Sequence, residues 1–563
     1  MSATNADPTP PTITNPPSAS AAAGTVVGHL DDLAEATMRM VKVDGHRLCL
    51  VRTSEGVFAL DQACPHEGYG LTTGDLDGDL ITCAWHNWKF RVSDGRCVLG
   101  EEDVRTHPVH VADDGTLSVT FVEPDPAEQR PKLLASLRSG IERDYTGQVA
   151  RDVVRLLRAD ANPGELIWEA VAYGAPRAEF GWGHAVASLT DCLAMVEHYE
   201  DDDRALPIVQ AIAGVAEGER DRPVRPLPDP ARDVSSDPRA EFRGFVEREQ
   251  LEPAQAVLRH AIAHGATADD LRPWFTEVVA DHHLSYGHGA IYTQKAFQLL
   301  DRLGWGRADT VLPHLLPTLV YGTREDKLPY MKLFHRGVAE LDLAALAAAA
   351  IEPVTGWADD GRLRSALLGD DRTEAASAAG AALASGAGLE GVLDAVTEAV
   401  SERMLRYDHA GEFDFHDDFG WLSITHGMTY ANAVRWHVRR APEITPDLVR
   451  LVLWTVFLAN WTGRHEWHTG VGEREEIEPR STDLVEYGRS LQHEALLDGT
   501  TAFIVHAHAV KTSVAATEEA VRLDSAVPLD AVARFMAAPK LERFVAATVA
   551  RSIDFLSGRV QRE

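Results

Sequence analysis

Two spacings of apolar residues divide this chain. From about Thr25 to Val122, short runs alternate between apolar and polar residues, with turn residues between them. Met38 to Val43 alternates, Asp44-Gly45 turns the chain, and Arg47 to Arg52 returns. Ser54-Glu55-Gly56 turns it again into Val57-Phe58-Ala59-Leu60. Val109 to Val111 and Leu117 to Val122 flank Asp113-Asp114-Gly115 and predict a closing hairpin. A period of two broken by such turns is the pattern of antiparallel strands. Residues 24–123 are therefore expected to form a small antiparallel all-β domain, closed by Glu123-Pro124-Asp125-Pro126.

From Gln129 onward the period changes. Apolar residues recur at three- and four-residue spacing, as in Val149 to Leu157, Ala254 to Ala263, Leu389 to Leu405 and Leu448 to Phe457. That spacing places them on one face of a helix. It predicts a large, mainly α-helical domain over residues 140–563, joined by a linker over 124–139. The segment Arg222 to Arg243, rich in Pro, Asp and Arg, reads as a long surface loop within that domain. Residues 1–23 are rich in Pro, Ser, Thr and Ala, with no basic start and no apolar run. They read as a disordered leader rather than a signal peptide.

The β-type region holds the densest chemistry. Cys64-Pro65-His66 and Cys83-Ala84-Trp85-His86 are separated by sixteen residues. Two loops that each supply one thiolate and one imidazole furnish the ligands of a Rieske-type [2Fe–2S] centre, with two Cys on one iron and two His on the other. A structural zinc site with a Cys₂His₂ set is the rival reading, but zinc ribbons draw on C-x-x-C pairs. Gly68, Gly70, Gly74 and Gly78 follow the first pair; Trp88-Lys89-Phe90 and Asp94-Gly95 follow the second. With these residues the region closely resembles the Rieske ferredoxin family, which implies Cys64, His66, Cys83 and His86 as cluster ligands. High-potential Rieske proteins tie the two loops with a disulfide and place a serine two residues after the second histidine. The corresponding positions here are Tyr69, Trp85 and Trp88. The resemblance therefore implies a low-potential cluster, of the kind that feeds an oxygenase or a reductase chain. Cys49, Cys97 and Cys192 are left over and scattered, which suggests a reducing cytoplasm without a disulfide framework.

Charge narrows the partners. The formal net charge of −32 disfavours nucleic acid and anionic membranes, whose phosphates attract Lys and Arg. No stretch of the sequence approaches a membrane span.

The helical part repeats a short signal. Leu284-Ser285-Tyr286-Gly287-His288-Gly289 matches Leu422-Ser423-Ile424-Thr425-His426-Gly427, and Tyr292 or Tyr430 follows each. Gly181-Trp182-Gly183-His184-Ala185-Val186 is a degenerate earlier copy, and His506-Ala507-His508-Ala509-Val510 a late one. The reading is of repeated helical units, each placing a histidine near a helix start. A lone histidine in a helical core is usually just hydrogen-bonded. Four at matching places, in a chain already carrying an electron-transfer cluster, point to a shared metal. His184, His288, His426 and His508 are the candidates; Trp182, Tyr286, Tyr292, Trp421 and Tyr430 beside them are candidates for a pocket wall.

Other residues have weaker claims. His465 and His468 share one helical face by spacing, and a solvated helix end explains them equally well. His282, His283 and His416 could orient a ligand. Lys511 lies one turn after His508; it would need a lowered pKa or carbamylation to bind a metal.

Residues 140–560 resemble the questin oxidase-like family, helical oxygenases that act on anthraquinone-like polyketides. The elements carrying the resemblance are His-Gly and His-Ala. It implies a non-haem iron on His184, His288, His426 and His508, with Lys511, carboxylated, as a further ligand. An N-terminal Rieske domain lies outside that family's pattern and implies an oxygenase that consumes reductant. Ring-hydroxylating Rieske oxygenases offer a second resemblance, through Glu277, Asp281, His283 and His288. Their motif wants the Asp one residue further from the first His, and their catalytic domain is built on a sheet. A third reading is a non-catalytic electron carrier with a helical interaction domain. The expected partners are an external reductase or ferredoxin docking near His66 and His86, O₂, and an apolar, aromatic small molecule.

Overall fold

The computed structural model describes residues 24–558 except 124, 414–418, 500–501 and 543; the side chains of His465, Trp467 and His468 are also left aside. The leader expected over 1–23, and His416, lie outside the described residues. The chain divides into two compact units at Gln129/Arg130.

The first unit is antiparallel β. Its strands are β1 (Thr25–His29), β2 (Thr37–Val43), β3 (His46–Thr53), β4 (Gly56–Asp61), β5 (Asp75–Asp77), β6 (Leu80–Thr82), β7 (Lys89–Arg91), β8 (Cys97–Leu99), β9 (Thr106–His107), β10 (Val109–Val111) and β11 (Thr116–Val119). They pair in three sheets, ordered β1-β11-β10, β2-β3-β4-β9 and β5-β6-β7-β8. Strand β3 explains the continuous apolar run Leu48-Cys49-Leu50-Val51, because both its faces are covered. Leu48 and Leu50 join Val43, Ala59, Leu117 and Val119 in one core. Cys49 and Val51 join Leu60, Ile81 and Phe90 in another, which also contains Cys64 and Cys83. The closing hairpin forms with Val109 opposite Val119, although β11 stops at Val119 rather than Val122.

The second unit is helical. Helix α1 (Pro126–Glu142) occupies residues expected to be linker. The Asp125 carboxylate accepts the Ala127 N–H at 2.8 Å, and Pro126 opens the helix where no N–H is needed. The same Asp-Pro device ends the expected surface loop early: Asp237 caps a helix that starts at Pro238.

Four other helices position the candidate histidines: α2 (His184–Met195), α3 (His288–Leu303), α4 (Trp421–Arg440) and α5 (Phe503–Leu523). They form a closed ring, α2 against α3, α3 against α4, α4 against α5 and α5 against α2. Their side chains meet in levels. The histidines make one level; Asp191 with Lys295, and Gln294 with Asn432 and Glu518, make the next. Each of these polar residues follows its own helix's histidine, so all four helices run the same way.

The repeat is not uniform in backbone. His184 and His288 are the first residues of their helices, as expected. His426 and His508 instead lie five residues inside α4 and α5. The near-identical elements around His288 and His426 diverge at Gly287, whose φ is +89° and where a Cβ would fall 2.5 Å from the Tyr430 ring. Ile424-Thr425 carries no such constraint and continues the helix.

Candidate metal centres

In the β unit the two Cys/His elements form matching loops. The Cys64 N–H donates to the Tyr69 carbonyl and the Gly68 N–H to the Cys64 carbonyl, both at 2.8 Å. In the second loop the Cys83 N–H donates to the Trp88 carbonyl at 2.8 Å and the Asn87 N–H to the Cys83 carbonyl at 3.1 Å. These turns bury both cysteines to 2% exposure and bring the His66 and His86 rings to 4.4 Å between centroids. His86 stays exposed at the rim. Burial pushes the Cys64 thiol up to about 12, and the neighbouring Cys83 adds to the effect. Two buried thiols on adjacent loops, with two imidazoles beside them, supply the donor set of an iron–sulfur cluster.

Aromatic rings pack the two loops together. Tyr69 and Trp85 stack at 4.1 Å and 16°, tying one loop to the other without a covalent bond. Trp88 stacks on His66 at 4.6 Å and 20°.

In the helical unit the structure brings His184, His288, His426, His508 and Lys511 together. One nitrogen from each of His184, His426 and His508 lies within 4.8 Å of the others. His288 joins through His426, their Nε2 atoms 2.8 Å apart. The His508 Nδ1–H donates to the Ile504 carbonyl at 2.7 Å, so its Nε2 presents a lone pair, 3.2 Å from His426 Nε2. His426 Nε2 thus meets two imidazole nitrogens and can carry at most one proton. A cation at that meeting point would satisfy all three, so the donor chemistry fits a metal. Lys511 Nζ lies 2.6 Å from His184 Nδ1. Burial holds all four imidazoles below their usual range, His426 at about 3, and brings Lys511 down to about 7. A neutral Lys511 can accept the Nδ1–H of His184 and leave Nε2 as its lone-pair nitrogen.

The surrounding candidates separate. Tyr292 stacks on His288 at 4.9 Å and Tyr286 on His426 at 5.8 Å. Tyr430 packs on His283 instead, and Trp421 on Tyr407 and Phe535. Trp182 is buried beside His184 in the chain. His282 pairs with Glu247 and Asp326. His283 is fully buried and faces Glu325 at 3.5 Å. Asp281 is engaged by Arg243 and Arg450, and Glu277 by Arg239 and Arg243, which leaves neither carboxylate to the ring-hydroxylating pattern.

Two carboxylates that sequence reasoning missed hold the site's backbone. Glu325 accepts the Tyr286 N–H at 2.6 Å and the Tyr330 hydroxyl at 3.1 Å, fixing the turn before His288. Ser285 and Tyr286 in that turn have φ of +47° and +58°. Glu412 accepts the Trp421 N–H at 2.8 Å and so caps α4. Local sequence carries no signal of either role, since Glu325 acts across 39 residues.

Comparison with known proteins concerns the β unit. The family model for the Rieske [2Fe–2S] domain matches residues 24–110. The ferredoxin component of naphthalene 1,2-dioxygenase/salicylate 5-hydroxylase systems from Ralstonia sp is 32% identical over 84 residues, covering 15% of this chain and 81% of that protein. Cholesterol 7-desaturase from Xenopus laevis is 40% identical over 67 residues, covering 12% of this chain and only 15% of its own length. The ferredoxin of carbazole 1,9a-dioxygenase from Nocardioides aromaticivorans IC177 is 25% identical, covering 18% of this chain and 100% of that one, with a TM-score of 0.17.

Proposed function

The chain belongs to the Rieske [2Fe–2S] family through residues 24–110, and from that premise we propose that it is a Rieske-fused, non-haem iron oxygenase. Cys64, His66, Cys83 and His86 would hold a low-potential cluster, and His184, His288, His426 and His508 an iron, with Lys511 as a further ligand or a partner of His184. When bound, these groups supply one-electron transfer and the reduction of O₂. The chain's own residues set the conditions. The exposed rim at His86 and Trp85 offers a face to an external reductase or ferredoxin. The Ile504 carbonyl holds the His508 proton at Nδ1 and turns its other nitrogen inward. Tyr286 and Tyr292 stack on His426 and His288 and fix their rings. An apolar, aromatic substrate suits such walls, and the resemblance to questin oxidase-like proteins suggests an anthraquinone-like polyketide. The free cysteines suit a reducing cytoplasm, and no described helix is long and apolar enough to cross a membrane.

The observation that carries this reading is the meeting of His288, His426 and His508 nitrogens at 2.8 and 3.2 Å. The test is iron and acid-labile sulfide per chain on anaerobically purified protein. A cluster alone gives about two of each. About three irons or more with about two sulfides supports the oxygenase reading. About two irons, with no other metal, would make the protein an electron carrier instead.

A further inference from the structure

Every two electrons given to O₂ take up two protons. This holds if one oxygen atom enters a substrate (RH + O₂ + 2e⁻ + 2H⁺ → ROH + H₂O), if both do, or if peroxide leaves (O₂ + 2e⁻ + 2H⁺ → H₂O₂). His426 and His508 are buried and His184 and His288 half-buried, so an oxygenase of this design has to bring protons to nitrogens that water reaches poorly. A polar route lies along the axis of the four-helix ring. A cavity of about 290 Å³ enters the ring from the end opposite the helix starts. Its mouth is formed by Asp301, Arg302, Arg440 and Glu518, all exposed, and its inner wall by Thr190 and Asp191, both buried.

At the inner end stands a buried pair. Lys295 Nζ donates to Asp191 Oδ1 at 2.7 Å, and Thr190 Oγ1 donates to the Lys295 carbonyl at 3.0 Å. Asp191 Oδ2 is buried and makes no hydrogen bond, although the residue lines the cavity. An unsatisfied buried carboxylate oxygen is costly, and a small side-chain movement towards the cavity would let water satisfy it. Counted along the helices, Asp191 and Lys295 stand two turns beyond His184 and His288, and Lys511, which touches His184, stands one turn beyond His508 and so between the pair and the histidines. Solvent, cavity, Asp191–Lys295 and histidine level are thus consecutive.

We propose that this cavity is the proton inlet of the histidine site, with Asp191 and Lys295 as its relay. The inference rests on the oxygenase reading and adds to it a hydrophilic approach from the far end of the helix ring. Protons enter from water at the mouth, are accepted at Asp191 and pass inward beside Lys511, while electrons come from the cluster. Asp191 and Lys295 are positioning residues for that transfer and touch no substrate.

The test uses the full-length protein, reduced stoichiometrically without air and then mixed with O₂. The return of the oxidised cluster's visible absorption and the H₂O₂ formed are followed together. His426→Ala reports how fast the cluster alone reacts with O₂; the faster component present only in the parent belongs to the helical site. That component is expected to slow about twofold in D₂O. Asp191→Asn should slow it about tenfold or more, and formate, small enough for the cavity, should restore much of the rate to Asp191→Ala. Ala194→Phe, which narrows the cavity one turn from Asp191 while keeping both members of the pair, tests the cavity itself and should slow the component while iron content stays unchanged. The relay is overturned if Asp191→Asn and Ala194→Phe keep the parent's rate and isotope effect. If the parent and His426→Ala reoxidise identically, the oxygenase reading falls and the relay with it.

Discussion

The β unit and the helical unit both gather imidazoles, but over very different lengths of chain. In the β unit the four proposed cluster ligands lie between Cys64 and His86, on two loops whose turns are closed by their own backbone hydrogen bonds. In the helical unit the four histidines are spread from His184 to His508, each on a different helix. A site built from two local loops survives most changes elsewhere. A site built from four helices depends on every helix holding its level, and on carboxylates that never touch the histidines.

The sharpest test of this difference is to remove one ligand from each. Cys83→Ala should abolish the cluster's visible and EPR signals completely while the helical iron remains; loss of both metals would break the idea of independent sites. His426→Ala should do the reverse. Iron should fall by about one per chain with sulfide unchanged at about two, read by metal and sulfide analysis.

Next in size are changes away from the ligands. Glu325→Ala would leave the Tyr286 N–H and the Tyr330 hydroxyl without their acceptor and should cost about 2–4 kcal/mol of stability in denaturant unfolding. The same change in the β unit's surface would do little. Glu325 also predicts a pH dependence. Burial raises its carboxyl to about 7, so the folded state resists its ionisation. Below the unfolded pKa, near 4.5, it costs nothing. As pH rises from there to about 7, the folded state binds more protons than the unfolded one and stability falls, by up to about 3 kcal/mol. Glu325→Gln keeps an acceptor and should flatten that slope, although Glu219, also raised to about 7, will leave part of it. An unchanged slope would mean that Glu325 is ionised and compensated.

The smallest expected effect is in the β unit. Trp85→Ala removes the stack on Tyr69 and should loosen the loops by about 1 kcal/mol. The readout is faster loss of the cluster in air, with helical iron unaffected.

How much was legible follows the same division. Strands β2 to β4 appear in the alternation of residues 38–60 because their partners are neighbours in sequence. The helix spacing of Leu448 to Phe457 likewise marks Pro446–Trp461. The repeated His-Gly signal picked out His288 and His426. It misread the backbone around the second, since nothing in Ile424-Thr425 states that the chain is already helical. The boundary between the two units falls within the expected linker, 124–139, but that stretch is largely helical, because an Asp-Pro start was read only as a domain end.

The sequence by itself determined the Rieske-type β domain, the β-then-helix order of the chain, and Cys64, His66, Cys83, His86 and the four histidines as candidates. The β domain and the order of the chain rest on residues a few positions apart, whose geometry follows from local backbone preferences; the histidines rest on one short motif recurring along the chain. Only the tertiary structure decided that the four helices run the same way, that Lys511 meets His184, that Glu325 holds the turn before His288, and that Asp191 and Lys295 end a cavity. Those relations join residues 39 to 327 positions apart. They arise because each helix must bury its own apolar face, and the polar residues then meet wherever that packing brings them.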